Sequence, residues 1–464
     1  MLGETNTIVL DHSRHSTRHP HHSEAEDATY VLKADPMKAR ELPMTPDDRP
    51  MTDSRRPIRH RGAARRRRLR MLIAGSLTAV LVAACGVAAY AYFDLTSSLH
   101  RSGFTLAGPS GSPTPTPHGE ANILVMGLDS RVDQNGDPLP RELYQAIHAG
   151  DQSDGGYNAN VLMLIHLPAN GGKAVGISIP RDDYAPLSGA PDGVRMSKIK
   201  EAYGLSLDEN LRTLRKQGVA RADAYQKARA AARQTQIRTV SDFLGGVRID
   251  HFVEITMAAF ERVAQAVQPI TVCLNHATKD KYSGADFPAG VQEINAAQAM
   301  SFVRQRRDTG PSDLELTDLD RTRRQQAFIL SLAHKLRRAE TFTDLGTMQR
   351  LLDTAKQYIA VDDGFDLLSF ASDAQRLSGG GLSFQTLPIA RFATIDGKAV
   401  NIVDSATVQG IVAGLLGTGS ASPSPATAPP ATVSTTPSPP APNHTAATTD
   451  PNAPLQAGGI PCVN

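Results

Sequence analysis

Charged and amide side chains stand at the ends of three short apolar segments in the middle of the chain. Asp129 and Arg131 follow the first segment, Asn158 and Asn160 precede the second, and Arg181 follows the third. In an open α/β sheet, the residues just beyond the strand ends line the ligand-binding crevice. A carboxylate there can bind a divalent cation and a guanidinium can bind phosphate oxygens, so the pattern predicts an anion site.

A second group of candidate residues is the tripeptide Arg304-Gln305-Arg306. Side chains alternate in direction along an extended segment. Both arginines therefore point to the same side if the chain is extended where it leaves the preceding predicted helix. The two guanidiniums would then act on one ligand.

The third group opens a predicted helix with the sequence DLDRTRRQQ. Arg321, Arg324 and Gln325 are spaced i, i+3 and i+4, so a helix brings them to one face. Asp318 or Asp320 would cap this helix, and a helix N-terminus itself favours anions.

Several guanidiniums that converge on one place need a matching anion, and their planar fork pairs with two phosphate oxygens at once. A diphosphate is therefore the predicted ligand, and a divalent ion held by Asp129 would bridge the same oxygens. Taken one at a time, each arginine is better explained as a surface or ion-pair residue. Their joint position at strand and helix ends is what favours a binding site.

The elements that must position these residues alternate between strand-like and helix-like. Near-continuous apolar runs, typical of strands covered on both faces, occupy 121–128, 161–167 and 174–179. A helical pattern covers 205–245, and the arginine-rich face at 221–233 is interpreted as solvated. The alternation predicts an α/β fold, a three-layer α/β/α sandwich with a mixed central sheet.

An apolar stretch without a charged residue, 71–93, lies ahead of this region. At about 1.5 Å of rise per residue, a helix of this length crosses the ~30 Å hydrocarbon layer of a bilayer. Nine arginines occur between residues 55 and 70. This bias predicts a cytoplasmic N-terminus and an extracytoplasmic remainder, with the protein in the cell membrane. A cleaved signal peptide is the alternative, but its apolar core would be shorter and nearer to the N-terminus.

Composition divides the chain further. The first 70 residues are polar and rich in His, Arg and Pro, which is typical of a disordered tail. The last part is nearly all Ser, Thr, Pro and Ala until the terminal residues. The predicted organisation is a basic cytoplasmic tail, a transmembrane signal anchor, an extracytoplasmic linker, one large catalytic or binding domain and a Ser/Thr/Pro-rich tail, at 1–70, 71–93, 94–117, 118–417 and 418–464.

The three cysteines differ in their predicted surroundings. Cys85 lies in the apolar stretch, whereas Cys273 and Cys462 fall on the predicted outer side, where disulfides persist. We expect Cys273 and Cys462 to pair and so to join the C-terminal residues to the domain. Two unpaired thiols are the alternative.

Other kinds of site find little support in the sequence. It contains no Gly-Xaa-Ser-Xaa-Gly elbow, no Gly-rich phosphate loop ending in Lys-Ser/Thr and no cysteine–histidine zinc spacing. The arginine block could suggest nucleic acid, but it adjoins the predicted membrane span, where topology and anionic lipids explain it. No nucleic-acid partner is predicted, and the His-rich N-terminus is interpreted as a polar tail.

Five segments resemble the LytR-CpsA-Psr family, in the family's order and behind a single apolar span, as is usual in the family. They are ILVMGLDSR, ISIPRD, KIKEAY, FVRQRRD and DLDRTRRQQ, at 123–131, 177–182, 198–203, 302–308 and 318–326.

The resemblance implies an extracytoplasmic phosphotransferase with an α/β/α fold. Such an enzyme transfers a glycopolymer from a polyprenyl-diphosphate carrier to peptidoglycan, generally to the MurNAc 6-hydroxyl. A phosphodiester forms and polyprenyl phosphate is released. The resemblance further implies dependence on Mg²⁺, a pyrophosphatase side activity and a groove for the lipid tail.

The resemblance also implies roles for individual residues. Asp318 would accept the hydroxyl proton, with Arg304 and Arg306 as its catalytic partners. Asp129 falls at the family's magnesium-binding aspartate, and Asn160 is the second predicted metal ligand. The implied diphosphate contacts are Arg181, Lys198, Arg304, Arg306, Arg321 and Gln325.

The chain departs from the family pattern in two places. Asn158-Ala159-Asn160 stands where the family usually has Arg-Ser-Asp, so Asn160 keeps an oxygen ligand but loses the negative charge. Asp320 replaces a glycine, which predicts a different turn. A non-catalytic binder of polyprenyl diphosphates, acting as an envelope sensor or regulator, is therefore the alternative function. A transcription attenuator is a more distant one.

Overall fold

The computed structural model describes residues 98–104, 120–148, 156–169, 172–312, 314–336, 345–366, 381–417, 453–456 and 458–464. The predicted cytoplasmic tail and the predicted transmembrane segment lie outside the described residues. Within the described ranges, no helix combines the length and the apolar character needed to span a bilayer.

The strands follow one another through the described residues in short segments. They are β1 His100–Arg101, β2 Ala121–Leu128, β3 Ala159–Leu167, β4 Ala174–Ser178, β5 Tyr184–Pro186, β6 Met196–Lys198, β7 His251–Thr256, β8 Ile270–Leu274, β9 Thr278–Asp280, β10 Ala285–Phe287, β11 Gly290–Ile294, β12 Ile359–Val361, β13 Leu382–Thr386, β14 Arg391–Ile395, β15 Lys398–Ile402, β16 Leu455–Gln456 and β17 Cys462–Val463.

The helices lie between these strands. They are α1 Arg141–Ala146, α2 Glu201–Lys216, α3 Arg221–Phe243, α4 Met257–Val267, α5 Ala296–Arg304, α6 Asp318–Leu336, α7 Leu345–Tyr358 and α8 Ser405–Leu415. The pattern predicted as one helix over 205–245 divides into α2 and α3. Gly218 takes a left-handed φ of +75° just after α2, which ends that helix.

An eight-stranded sheet forms the centre, in the order β1-β12-β7-β2-β3-β4-β13-β16. Strand β2 pairs in parallel with β7 and antiparallel with β3. Strand β4 pairs antiparallel with β3 and in parallel with β13. The sheet is therefore mixed, as the sequence predicts.

Two apolar clusters cover the opposite faces of this sheet. Along β2, Ile123 and Val125 belong to the first cluster and Leu124 and Met126 to the second, because successive side chains point to opposite faces. Helices α4, α5, α6 and α7 contribute to the first cluster, and α2, α3 and α8 to the second. The result is a helix–sheet–helix arrangement in three layers.

Two of the three arginines between residues 221 and 233 of α3 are buried, contrary to the sequence interpretation of this face as solvated. Arg229 and Arg233 are 0% and 2% exposed. Both form ion pairs with the buried carboxylate of Glu254, which stands between two apolar residues of strand β7. Gln134 donates to the same carboxylate at 3.1 Å, and Tyr203 donates to it at 2.8 Å. This opposite charge in the sheet is the reason that two arginines can be buried here.

Both ends of the described chain join the central sheet. Strand β1, from the predicted linker, pairs with β12 at one edge, and β16 pairs with β13 at the other. Strand β17 pairs with β8, where Cys462 and Cys273 form a disulfide with their Cα atoms 4.4 Å apart. We call residues 453–456 and 458–464 the C-terminal strap. The segment predicted as a tail thus ends on the folded domain.

Candidate active site

A cavity of about 460 Å³ lies between the sheet and helices α4, α5 and α6. Its interior is apolar and built from residues of the first cluster, among them Val125, Met163, Phe260 and Phe328. One set of lining residues is strongly polar and comes from strand and helix ends. These residues are Asp129, Arg131, Asn160, Arg181, Arg304, Arg306, Arg307, Arg321 and Gln325.

A bulge at the end of β2 positions the first polar residues. The pairing register of β2 and β3 shifts between Gly127 and Leu128. The backbones approach so closely there that a Cβ on Gly127 would lie 2.8 Å from the Cβ of Val161. The strand ends directly afterwards, which brings Asp129 beside Asn160 at the start of β3.

Three side chains form a hydrogen-bonded row across the strand ends. Asn160 Nδ2 donates to Asp129 Oδ2 at 2.8 Å, and Arg181 Nη1 donates to Asn160 Oδ1 at 2.7 Å. The backbone N–H of Asn158 donates to the other Asp129 oxygen at 2.8 Å. Burial is the main cause that raises the pKa of Asp129, against the lowering effect of that backbone bond and of the nearby cations.

The C-terminal end of helix α5 positions Arg304 and Arg306. Asn295 caps the helix through a reciprocal capping box with Gln298, and Arg304 is its last residue. Gln305 is extended, at φ −59° and ψ 131°, and is fully buried. Arg304 and Arg306 therefore flank an inward-pointing glutamine, and both line the cavity, as expected for an extended exit from the helix.

Helix α6 contributes Arg321 and Gln325, but not Arg324. Arg321 and Gln325 line the cavity. Arg324 is fully buried behind them, where it donates to Gln305 Oε1 at 2.7 Å and to the backbone oxygen of Asn464 at 2.6 Å. The prediction that Arg321, Arg324 and Gln325 share one functional face is therefore wrong for Arg324, because its guanidinium is hydrogen-bonded to the C-terminal strap and to Gln305.

Asp318 lies between two of the cavity arginines. Its carboxylate is 3.1 Å from Arg181 Nη2 and 3.0 Å from Arg321 Nη2. Asp318 does not line the cavity itself, but its side chain is 20% exposed and lies directly against the two arginines that do. Burial lowers the pKa of Arg321 to about 10, an effect that Asp318 opposes and Arg181 adds to, so the guanidinium is charged at neutral pH.

Lys198 does not line the cavity, contrary to its predicted contact with the diphosphate. The Asp182 carboxylate forms ion pairs with Lys198 at 3.3 Å, with Lys200 at 2.8 Å and with Arg181 at 3.5 Å. Burial raises the pKa of the Asp182 carboxyl, but the hydrogen bond from Lys200 and the surrounding cations outweigh it, and the net pKa is lowered. Sequence reasoning selected Lys198 and missed Lys200, although both belong to the KIKEAY segment.

The predicted metal ligands do not fit a magnesium ion in this arrangement. Mg²⁺ binds oxygen ligands in near-octahedral geometry. Both Asp129 oxygens accept hydrogen bonds, the Asn160 oxygen accepts from Arg181, and the Asn160 nitrogen faces the carboxylate. Nor do the described residues contain any group of three or more His, Cys, Asp or Glu side chains suited to a metal.

Arg131 lines the cavity, as its place at the predicted anion site indicates, although it was not among the residues implied to contact the diphosphate. Among the described residues, no hydrogen-bond partner is found for its Nε and Nη1 atoms, which are buried. Its position two residues after Asp129 was the available signal, but burial without a partner is visible only in the structure.

The arrangement suits an amphiphilic anion. Six arginines and two aspartates line the cavity, so its polar part carries a net positive charge, while its interior offers apolar surface. A phosphate-bearing head group would be held by guanidiniums, and an attached apolar chain would be buried.

The chain is similar in sequence to one protein family and to named bacterial cell-wall proteins. The model of the LytR_cpsA_psr family matches residues 96–414. The cell wall biosynthesis protein LcpA of Corynebacterium glutamicum is 35% identical over 280 residues, which cover 60% of this chain and 51% of LcpA. The polyisoprenyl-teichoic acid–peptidoglycan teichoic acid transferase TagU of Bacillus subtilis is 22% identical over 319 residues, which cover 67% of this chain and 86% of TagU.

A solved structure completes the comparison. The LytR-Csp2A-Psr enzyme from Actinomyces oris is 17% identical, covers 68% of this chain and 96% of its own, and has a TM-score of 0.44. The chain spans about half the length of the LcpA relative that it matches.

Proposed function

The chain belongs to the LytR_cpsA_psr family, and from this premise we propose that it transfers a cell-wall glycopolymer from a polyprenyl-diphosphate carrier to peptidoglycan. The proposed acceptor is a MurNAc hydroxyl, the product is a phosphodiester, and polyprenyl phosphate is released. The observation that carries the proposal is a cavity whose wall combines a large apolar surface with six arginines.

The apolar part of the cavity supports a lipid-linked donor. Side chains of α4, α5 and α6 and of β2, β3 and β7 surround it, and its size falls within the range of ligand sites in proteins. A polyprenyl chain would gain favourable free energy from burial there. A water-soluble nucleotide sugar has no long apolar chain to bury against this surface.

The arginines support a diphosphate as the head group. Phosphoryl transfer depends mainly on positioning and on stabilisation of charge, without a covalent protein intermediate. Arg181, Arg304 and Arg321 approach from β4, α5 and α6, so they would contact the two phosphates from different directions. Their fixed donors would stabilise the charge that builds up on the leaving polyprenyl phosphate.

The proposed reaction is a single displacement. The acceptor hydroxyl oxygen attacks the phosphorus that carries the glycopolymer, and the bond from that phosphorus to the oxygen of polyprenyl phosphate breaks. The hydroxyl proton passes to Asp318, whose ion pairs with Arg181 and Arg321 hold it next to the head group. No step is assigned to a metal ion, since the Asn160 amide is hydrogen-bonded to both Asp129 and Arg181.

The names of the relatives support the substrate class. LcpA is named for cell wall biosynthesis, and TagU for transfer of teichoic acid to peptidoglycan. We place the protein in the cell membrane as a single-pass protein with its N-terminus inside and its catalytic domain outside. The arginine block and the apolar stretch at 71–93 support this placement.

The test uses the full-length protein in liposomes, with a synthetic polyprenyl-diphosphate-linked disaccharide and peptidoglycan fragments. We expect release of polyprenyl phosphate together with a phosphodiester-linked product identified by mass spectrometry. Arg304→Ala should abolish transfer while the protein stays folded and membrane-bound. Arg212→Ala, an exposed arginine paired with Asp192, is the matched control and should transfer normally.

Three outcomes separate the candidate functions. Unchanged transfer by Arg304→Ala would contradict the proposed site. Tight donor binding without transfer would favour the non-catalytic sensor. Release of polyprenyl phosphate in the absence of peptidoglycan would indicate the expected pyrophosphatase side activity, and the wall-bound sugars of a cell lacking the protein would identify the glycopolymer.

A further inference from the structure

The row formed by Asp129, Asn160 and Arg181 has only one consistent arrangement of donors and acceptors. A guanidinium can only donate hydrogen bonds and a carboxylate can only accept them. The Asn160 amide therefore presents its oxygen to Arg181 and its nitrogen to Asp129, as the distances of 2.7 Å and 2.8 Å indicate. Each of the three groups satisfies the next.

This row leaves the Asp129 carboxylate with little to offer a cation. An aspartate in place of Asn160 would add a second carboxylate oxygen next to Asp129, which is a setting that attracts a divalent ion. The amide instead places a hydrogen-bond donor at that point. Lys200, Arg181 and Arg131 also lie close enough to stabilise the Asp129 carboxylate electrostatically, although burial still raises its pKa.

Arg131 differs from Arg181 and Arg321, which also have an Nε atom without a hydrogen-bond partner but form ion pairs with Asp318. Its Nε and Nη1 atoms are buried, and no hydrogen-bond partner for them exists in the described part of the chain. The side chain lines the cavity together with Asp129 and Arg304. Buried donors of a guanidinium are costly to leave unpaired, so an anion in the cavity is the partner that this geometry fits.

We propose that this chain binds and transfers its diphosphate substrate without a resident divalent cation. Arg131 supplies the charge that a metal ion would otherwise supply, and Asn160 holds Asp129 and Arg181 in position. The inference rests on the proposed function for the identity of the substrate. The bonds that form and break are those of the displacement described above.

The first test compares the full-length wild-type protein in EDTA and in excess Mg²⁺. Fluorescent farnesyl diphosphate is the binding probe, and the lipid-linked disaccharide is the transfer substrate. We expect affinity and transfer to agree within about twofold between the two media, since guanidiniums and not a metal ion hold the phosphates. A loss of tenfold or more in EDTA overturns the inference but leaves the proposed function intact. Transfer absent in both media contradicts the proposed function, and probe binding in EDTA then decides the inference.

The second test restores a carboxylate. In Asn160→Asp, two carboxylates meet at about the present 2.8 Å contact and repel each other unless a cation or proton intervenes. We expect Mg²⁺ binding to appear in calorimetry, and probe binding to fall at least tenfold in EDTA and to recover with Mg²⁺. Asn210→Asp adds the same charge on α2, outside the cavity, and should gain no Mg²⁺ sensitivity. Asn160→Asp that folds with the wild-type melting temperature but binds the probe equally in both media overturns the inference.

The third test concerns Arg131 itself. Arg131→Gln should weaken farnesyl diphosphate binding at least tenfold in both media, and Arg131→Lys should recover part of the loss because it restores the charge but not the planar fork. Arg141→Gln, an exposed arginine on α1, is the matched control. Wild-type affinity in Arg131→Gln would show that another group neutralises the phosphates and would overturn the inference.

Discussion

Arg181 Nη2 lies 3.1 Å from Asp318 Oδ1, and this ion pair joins the end of β4 to the first turn of α6. Arg321 contacts the same carboxylate one turn further on. The residue proposed to accept the substrate proton is therefore also the residue that holds two of the phosphate-binding arginines. The two roles can be separated by experiment.

Asp318→Asn keeps the shape of the side chain and removes its charge. We expect transfer to fall by about 10²–10⁴, the usual contribution of a general base. Binding of farnesyl diphosphate should stay equal or become tighter, because a negative charge leaves the anion site. Transfer rate and probe affinity, measured on the same preparation, check this. Parallel losses in both quantities would mean that Asp318 only positions the arginines.

Glu254→Gln tests the buried cluster on the other side of the sheet. The change leaves Arg229 and Arg233 buried without their counter-charge, and loss of one partner of a buried ion pair typically costs about 3–5 kcal/mol. Urea unfolding should show this loss in the free energy of unfolding. Glu209→Gln, an exposed carboxylate that accepts from the backbone of Asp192, is the control. A loss below about 1 kcal/mol, as for a surface pair, would contradict the expectation.

Cys273→Ser tests the disulfide that holds the C-terminal strap. The bond closes a loop with a sequence separation of 189 residues. Its removal should cost about 2–5 kcal/mol and release β17 from β8. The wild-type melting temperature should fall in dithiothreitol and that of Cys273→Ser should not. Cys85→Ser leaves the disulfide intact and should behave as wild type. A wild-type melting temperature that does not change in dithiothreitol would contradict the stabilising role of the Cys273–Cys462 disulfide.

His251 should make stability depend on pH. Its Nδ1 lies 3.1 Å from Asp362 Oδ1, and this hydrogen bond is the main cause that raises the pKa of His251 above the usual 6.5. A raised pKa in the folded state means that the protonated form stabilises the fold. The stability contribution is present in full below the unfolded pKa and is lost as the pH rises through the folded one.

The variant His251→Gln isolates this contribution. Urea unfolding between about pH 5 and pH 8 should show the largest difference between wild type and His251→Gln at the acidic end. His276→Gln, an exposed histidine, should show no such trend. A difference that grows with pH would contradict the assigned sign.

The central strands and the arginine pair of α5 were predictable because their signals are local. Strands β2, β3 and β4 are short apolar runs bounded by polar residues, and Arg304 and Arg306 share a side through simple alternation. The cap that Asn295 provides for α5 likewise acts within one turn of the chain.

The parts that the sequence did not predict depend on residues far apart in the chain. The burial of Arg229 requires Glu254 from another layer, and the local sign was a single acidic residue between Val253 and Ile255 in a strand. By sequence spacing, Arg324 shares a helix face with Arg321. In the structure, its guanidinium instead donates a hydrogen bond to Asn464 of the C-terminal strap. The sequence predicted the Asn160 amide oxygen as a metal ligand, but in the structure this oxygen accepts a hydrogen bond from Arg181.

The wall of the cavity is made of the same side chains that hold one layer of the domain together, including Met163 and Phe328. Occupancy by an apolar tail thus extends the packing of the interior, so ligand uptake and resistance to unfolding are thermodynamically linked. Thermal shift then becomes a direct screen for lipid length. Detergents with a single alkyl tail will compete for the same space, so donor affinities measured in micelles will understate those in a bilayer.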